Sequence, residues 1–193
     1  MSFRFSMILS ALLCCGSAMA GPAPVNVDLG IPNIRQDTPN WCWVATAKQV
    51  IRWTMPEFDL PQCRMLEIAR NVPPGECCDH PEHCRQDGTL VGIGHLIELF
   101  TGVAAKPAPF FDVDRMHRLL QGGRPVVLAL QNGPEQGHAV VLRGIEYMQT
   151  LRDAVPILLV NDPFSDHPDR TDRIPYELLQ PHLAGGVVPD VGR

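Results

Sequence analysis

The cysteines constrain this chain more than any other feature. Seven are present: Cys14 and Cys15 in an N-terminal apolar run, then Cys42, Cys63, Cys77, Cys78 and Cys84. Whether such a set becomes disulfides or a metal centre depends on the redox compartment, so the N-terminus is decisive. Arg4 gives a positive n-region, Met7 to Cys15 an apolar run, and Ala18-Met19-Ala20 a small-residue cleavage site. Residues 1–20 therefore read as a secretory signal peptide, and residues 21–193 as one domain long enough to bury a core. A lipoprotein signal on Cys14 or Cys15 fits less well, because Leu13 or Cys14 would stand where a small residue is expected. The run falls short of the roughly 18 apolar residues a membrane span needs. The expected address is the periplasm or the exterior, with no membrane attachment after cleavage.

Export favours disulfides, and an odd cysteine count leaves one thiol free. Cys63, Cys77, Cys78 and Cys84 are the candidates for two bridges, with Cys42 left over. Adjacent cysteines rarely pair with each other, so Cys63 is expected to reach the loop, with the connectivity open. The segment Cys77-Cys78-Asp79-His80-Pro81-Glu82-His83-Cys84 also carries zinc-type ligands. The compartment argument sets that reading aside, and no metal or other cofactor is expected. The net charge of −5 and the lack of a basic patch speak against a nucleic-acid partner. A monomer is expected.

Residues 21–39 are rich in Pro, Asn, Asp and Gly and read as an extended lead-in. From Cys42 onward Trp43, Ala47, Val50 and Ile51 fall at helical spacing. Thr38 or Asn40 is the expected cap and Pro56 the stop. Further helices are predicted over 62–71, 90–100 and 113–121, with a short one over 176–183. Apolar runs at 126–130, 139–145 and 157–160 read as strands. Helices first and strands second make an α+β chain. The segments 107–113 and 133–136 are candidates for lining a cleft.

Three positions carry the chemistry. Cys42 stands in the first turn of a helix, where unpaired N–H groups favour negative charge, which suits a nucleophilic thiolate. His138 follows Gly137 at the mouth of an apolar strand and is placed to act as a base toward a facing thiol. Asn161-Asp162-Pro163 ends the next strand, and a triad needs a carboxylate or amide to orient the imidazole. Side chains alternate along a strand, so at most one of Asn161 and Asp162 faces His138. Gln36, six residues before Cys42, carries an amide able to donate to an oxyanion. Each feature also has a plain structural reading: a buried cysteine, a core histidine, an Asp-Pro turn, a solvated glutamine.

Taken together, Gln36, Cys42-Trp43, Gly137-His138 and Asp162-Pro163 resemble the papain-like cysteine peptidases. The likeness is to their short bacterial branches: staphopains, leader peptidases of bacteriocin exporters and secreted effector proteases. The stretch from Ile31 to Trp43 looks most like the effector type, and the resemblance spans about residues 31–164. It implies a helical half bearing the cysteine at a helix N-terminus, packed against an antiparallel sheet half. It also implies Cys42 as nucleophile, His138 as base and Asp162 as orienter, with Asn161 the alternative third member. Gln36 and the Cys42 N–H would form the oxyanion hole, and a peptide or protein would be the substrate. Two features depart from papain itself: only 96 residues separate Cys42 from His138, and no long pro-segment precedes Ile31. The same three groups also serve transglutaminases and glutamine deamidases. A non-enzymatic binding module with a structural Cys42 is the remaining reading.

Overall fold

The computed structural model describes residues 24–109, 112–131, 137–151, 153–165 and 170–191. The signal-peptide reading and the 133–136 segment lie outside them. In chain order the elements are β1 (Val27–Asp28), α1 (Cys42–Thr54), α2 (Gln62–Arg70), α3 (Leu90–Thr101), β2 (Ala105–Ala108), α4 (Val113–Gln121), β3 (Val126–Gln131), β4 (Gly137–Gln149), β5 (Ala154–Asn161), β6 (Asp172–Pro175), α5 (Tyr176–Leu179) and β7 (Leu183–Pro189). The fold is α+β. One antiparallel sheet runs in the order β2-β7-β3-β4-β5-β6. β4 outruns β3, and β1 pairs with the residues beyond, Gly144 and Ile145.

The mostly apolar runs of β3 and β4, with Arg143 the exception, follow from helices covering both sheet faces. Val127, Ala139, Val141 and Val187 join one core with Trp43, Val44, Ala47 and Ile51 of α1 and Ile93, Leu96 and Ile97 of α3. Their neighbours Val126, Leu128, Val140 and Leu142 join a second core with Met116 and Leu120 of α4. Fully burying an aliphatic side chain of this size stabilises by roughly 1.5–3 kcal/mol, and the alternation directs that stabilisation to both faces. The helical pattern of α1 is thus the face that lies on the sheet.

Helix boundaries follow local chemistry. Thr89 caps α3 by accepting from Gly92 N at 3.0 Å, and Asp112 caps α4 by accepting from Arg115 N at 2.7 Å. Gly94 sits mid-helix because α3 passes close to β2; a Cβ there would lie 2.3 Å from the Ala105 carbonyl oxygen. The expected side-chain cap on α1 is not made. Asn40 donates instead to Asp87 Oδ1 at 2.6 Å, and Thr38 offers its carbonyl, not its hydroxyl, to the amide of Trp41. The expected helix over 176–183 is cut short. α5 ends at Leu179, a 3-10 turn takes Gln180–His182, and Leu183 opens β7 in the middle of the sheet. Gly185, Gly186 and Pro189 hide that strand from a sequence reading, because glycine and proline are depleted in strands. Pro107 lies in β2 opposite Val187 and does not line the cleft described below.

Two disulfides, Cys63–Cys78 and Cys77–Cys84, pin the loop after α2, and Cys42 is the free cysteine. Glu67 fastens the same loop from beneath. Its Oε1 accepts from the amides of Gly75, Cys77 and Cys78 at 2.8, 3.0 and 3.1 Å, and its Oε2 accepts from Arg64 at 2.8 Å. The Arg64 guanidinium, against the cost of burial and with help from the three amides, holds the carboxyl down at about 2. A depressed carboxyl contributes stability that is complete above its ordinary value of 4.5 and is lost as pH falls through about 2. Glu67→Gln is therefore expected to melt below wild type at pH 7. The gap should close as pH is lowered from about 5 toward 2, as followed by circular dichroism melts; a constant gap would refute this role.

Candidate active site

Cys42 is the first residue of α1, and its half-buried side chain stands between two buried tryptophans. Without a side-chain cap, the first-turn amides of α1 are not consumed by a capping oxygen. Only Val44 and Ala45 turn theirs back to the Trp41 carbonyl, at 3.0 and 2.9 Å. The Cys42 amide is one of the helix-start donors left without an intrahelical partner.

His138 lies at the start of β4, and β5 brings Asp162 to it. The register pairs Val141 with Asn161. Continued by one step, it sets Asp162 diagonal to His138 on the same face. Asp162 Oδ1 lies 2.7 Å from His138 Nε2 and also accepts from Phe164 N at 2.8 Å, so the Asp-Pro turn itself fixes the carboxylate. With Nε2 engaged by Asp162, Nδ1 is the ring nitrogen left for Cys42, which lines the same cleft. Burial works against a charged ring here, but the bonds to Asp162 and Cys42 outweigh it and push His138 up to about 9. Burial likewise opposes the Asp162 carboxylate, yet its bonds with His138 and the Phe164 amide leave it below its usual range.

Asn161 points elsewhere. It is fully buried, donates to the Ile31 carbonyl at 2.9 Å, and accepts from Thr171 at 3.0 Å. Gln36 is 7% exposed and is held beside the Asp162 turn by its amide, which donates to the Pro163 carbonyl at 2.9 Å. Its side-chain Nε2 donates to the Thr38 carbonyl at 2.7 Å, and its Oε1 is buried without a partner. Gln36 lines a smaller hollow with Arg35, Asp37 and Phe164, which joins the main cleft at Pro39.

The main cleft has a volume of about 590 Å³. Cys42 and His138 lie in it, between a wall of Asp87, Gly88, Thr89 and Leu90 and a wall of Ala129, Leu130 and Gln131. Gly88 rests on the Trp43 indole, where a Cβ would come within 2.0 Å of the ring. Trp41 Nε1 donates to the Cys84 carbonyl at 3.1 Å and Trp43 Nε1 to that of Gln86 at 3.3 Å. The tryptophans beside the cysteine thus carry the disulfide loop that forms the cleft wall.

Several supporting residues escape a sequence reading. Gln49 on α1 donates to Asn33 Oδ1 and the Ile34 carbonyl at 3.0 and 3.2 Å. Asn33 donates in turn to the Asp162 carbonyl at 3.1 Å. Gln62 donates to the Arg35 carbonyl at 2.7 Å and accepts from Asp37 N at 3.2 Å. Together they strap residues 31–37 between the helices and the Asp162 turn. The signal the chain offers for them is an amide inside an apolar helical stripe, as at Gln49, which a core must satisfy with hydrogen bonds.

A thiol at a helix start, an imidazole in the same cleft and a carboxylate behind the ring, between helices and an antiparallel sheet, are the arrangement of a papain-like cysteine peptidase. The model of the family described as papain-like cysteine protease AvrRpt2 matches residues 25–171, and the chain belongs to that family. No curated protein sequence matches significantly. Two solved structures share the fold at low identity. A C39-like peptidase from Bacillus anthracis superposes with a TM-score of 0.57 at 12% identity, over 88% of this chain and 98% of that one. The peptidase domain of Streptococcus ComA, a bifunctional ABC transporter of a quorum-sensing pathway, gives 0.55 at 14%, over 82% and 96%. The chain is a cysteine-type peptidase acting on protein substrates.

Proposed function

We propose that this is an exported peptidase that cleaves peptide bonds through a Cys42–His138–Asp162 triad and a thioester intermediate. The observation that carries the reading is the 2.7 Å contact of Asp162 with one ring nitrogen of His138, in the cleft that Cys42 also lines. The Cys42 thiolate attacks the substrate carbonyl carbon, and the carbonyl π electrons move to oxygen. The Cys42 amide and Gln36 Nε2 donate to that oxyanion. The Gln36 amide has one orientation, since a flip would face its oxygen toward the Thr38 carbonyl. Nε2 keeps one hydrogen on Thr38 and has a second for the oxyanion. Imidazolium His138 protonates the leaving amine as the C–N bond breaks, leaving a thioester on Cys42. Neutral His138 then takes a proton from water, which attacks the thioester, and the acid product departs with Cys42 restored as thiolate and His138 as imidazolium. Asp162 holds the ring in position and stabilises its charge throughout.

Export is supported by the two disulfides, which suit an oxidising compartment, and by the signal-like residues 1–20. Among the described residues no helix is long and apolar enough to cross a membrane. The test is incubation of the protein with a peptide library, with cleavage read by mass spectrometry and ammonia assayed in parallel. New peptide termini at a recurring sequence are expected. Ammonia release from glutamine side chains without chain cleavage would replace this reading with deamidation by the same triad.

A further inference from the structure

The loop that walls the cleft carries a second cluster of reactive side chains on its outer surface. Export argues against a metal held by the thiols of this loop, but it does not bear on the imidazoles. With the four thiols paired, what remains is His80, Glu82 and His83, spaced along a 3-10 turn, Pro81–Cys84, that the Cys77–Cys84 disulfide closes. We propose that His80, Glu82 and His83, drawn together on this disulfide-closed turn, form a binding site for a zinc-class divalent cation.

The donor atoms of the three side chains all lie within 4.8 Å of one another. His80 Nδ1 is 3.5 Å and His83 Nε2 is 4.0 Å from Glu82 Oε1. Ligands about 2.0–2.1 Å from a tetrahedral zinc stand roughly 3.3 Å apart, so small side-chain rotations close the site. The two imidazoles already lie nearly parallel, with ring centres 5.0 Å apart and planes 19° from coplanar. All three side chains are more than half exposed, which gives a hydrated cation a direct approach.

Glu76 supplies the outer support. Its Oε1 lies 3.1 Å from His83 Nδ1. A carboxylate there accepts a hydrogen bond from Nδ1–H and leaves the Nε2 lone pair directed toward Glu82, the carboxylate–histidine–metal arrangement that fixes a ligand's tautomer. Two imidazoles and one carboxylate suit zinc and neighbouring late transition metals, with water completing the coordination. The backbone beneath is already fixed by both disulfides and by Glu67, so little ordering remains to be done on binding. The site lies four residues before Asp87 at the cleft wall, so an occupied site would brace that wall.

The experiment is a zinc titration by calorimetry of the tag-free, oxidised Cys42→Ala protein, which removes the catalytic thiol as a competing ligand. One saturable Zn2+ per chain is expected, with a rise in melting temperature. The His80→Ala, His83→Ala pair should weaken binding more than about 100-fold, beyond the roughly 10–100-fold that loss of an outer-shell partner such as Glu76 costs in Glu76→Gln. With Cys42 present, the same substitutions should leave peptide cleavage without added metal unchanged, which shows that the variants fold. Absence of saturable binding, or binding undiminished by the double substitution, overturns the proposal.

Discussion

Cys42→Ala is expected to leave a folded protein that turns over no peptide. The residue stands at the start of α1 with its side chain half-buried, in the cleft it shares with His138. Removing one sulfur from a partly open position costs little packing. It removes the proposed nucleophile completely, and among the described residues no other thiol can replace it, because the remaining cysteines are paired. Iodoacetamide without reductant should therefore modify wild type at Cys42 alone and abolish turnover in step with labelling. Labelling is measured by intact mass and peptide mapping, and turnover with one cleavable peptide. Modification at Cys63 or Cys84, with turnover surviving in Cys42→Ala, would rule out the proposed nucleophile.

The second large effect separates two adjacent residues. Asp162→Ala is expected to lower kcat/KM by orders of magnitude while the protein stays folded at the assay temperature. Asn161→Ala is expected to keep most of the activity per folded molecule and lose stability instead. Asn161 is fully buried, and its removal leaves the Ile31 carbonyl without its donor and the Thr171 hydroxyl without its acceptor, at a cost of about 1–3 kcal/mol. The pH profile adds a signature that a merely structural role for Asp162 would not produce. A histidine raised from 6.5 to about 9 is favoured in its charged form; the stabilisation is complete below 6.5 and lost as pH rises through about 9. The alkaline limb of kcat/KM should accordingly fall near pH 9 in wild type. In Asp162→Asn the limb should move to lower pH, because burial still disfavours the charged ring while the carboxylate is gone. The partial activity expected of that variant makes the limb measurable. An unmoved limb, or a crippled Asn161→Ala beside an active Asp162→Ala, would break the assignment of the third member.

Part of this molecule is written locally in the chain. α1 is legible because Trp43, Ala47, Val50 and Ile51 repeat at helical spacing, and α4 because Asp112 and Gly122 bracket an amphipathic run. β3, β4 and β5 are legible because their runs are apolar at nearly every position, Arg143 of β4 being the exception, as a sheet covered on both faces requires. Cys42, His138 and the Asn161-Asp162 pair stand at the ends of those elements, so locating the elements also locates the site residues. An odd cysteine count, in a chain whose N-terminus reads as an export signal, leaves one thiol free, and the clustering of the other four singles out Cys42.

The rest depended on contacts between distant segments. β7 is a strand because β2 and β3 flank it, and neither Gly185 nor Gly186 carries a side chain that would reveal it. The start of α1 has no side-chain cap because Trp41 takes the N-cap position, its indole donating to the Cys84 carbonyl 43 residues away. The division between Asp162 and Asn161 is set by the β4–β5 register and by the Ile31 carbonyl, 130 residues from Asn161. The pairing of Cys63 with Cys78 and Cys77 with Cys84 follows from how α2 presents Glu67 to the loop amides. Periodicity and composition report what a residue prefers within a few positions of itself. Hydrogen bonds and sheet register are agreements between two segments, and their terms exist only once both have been brought together.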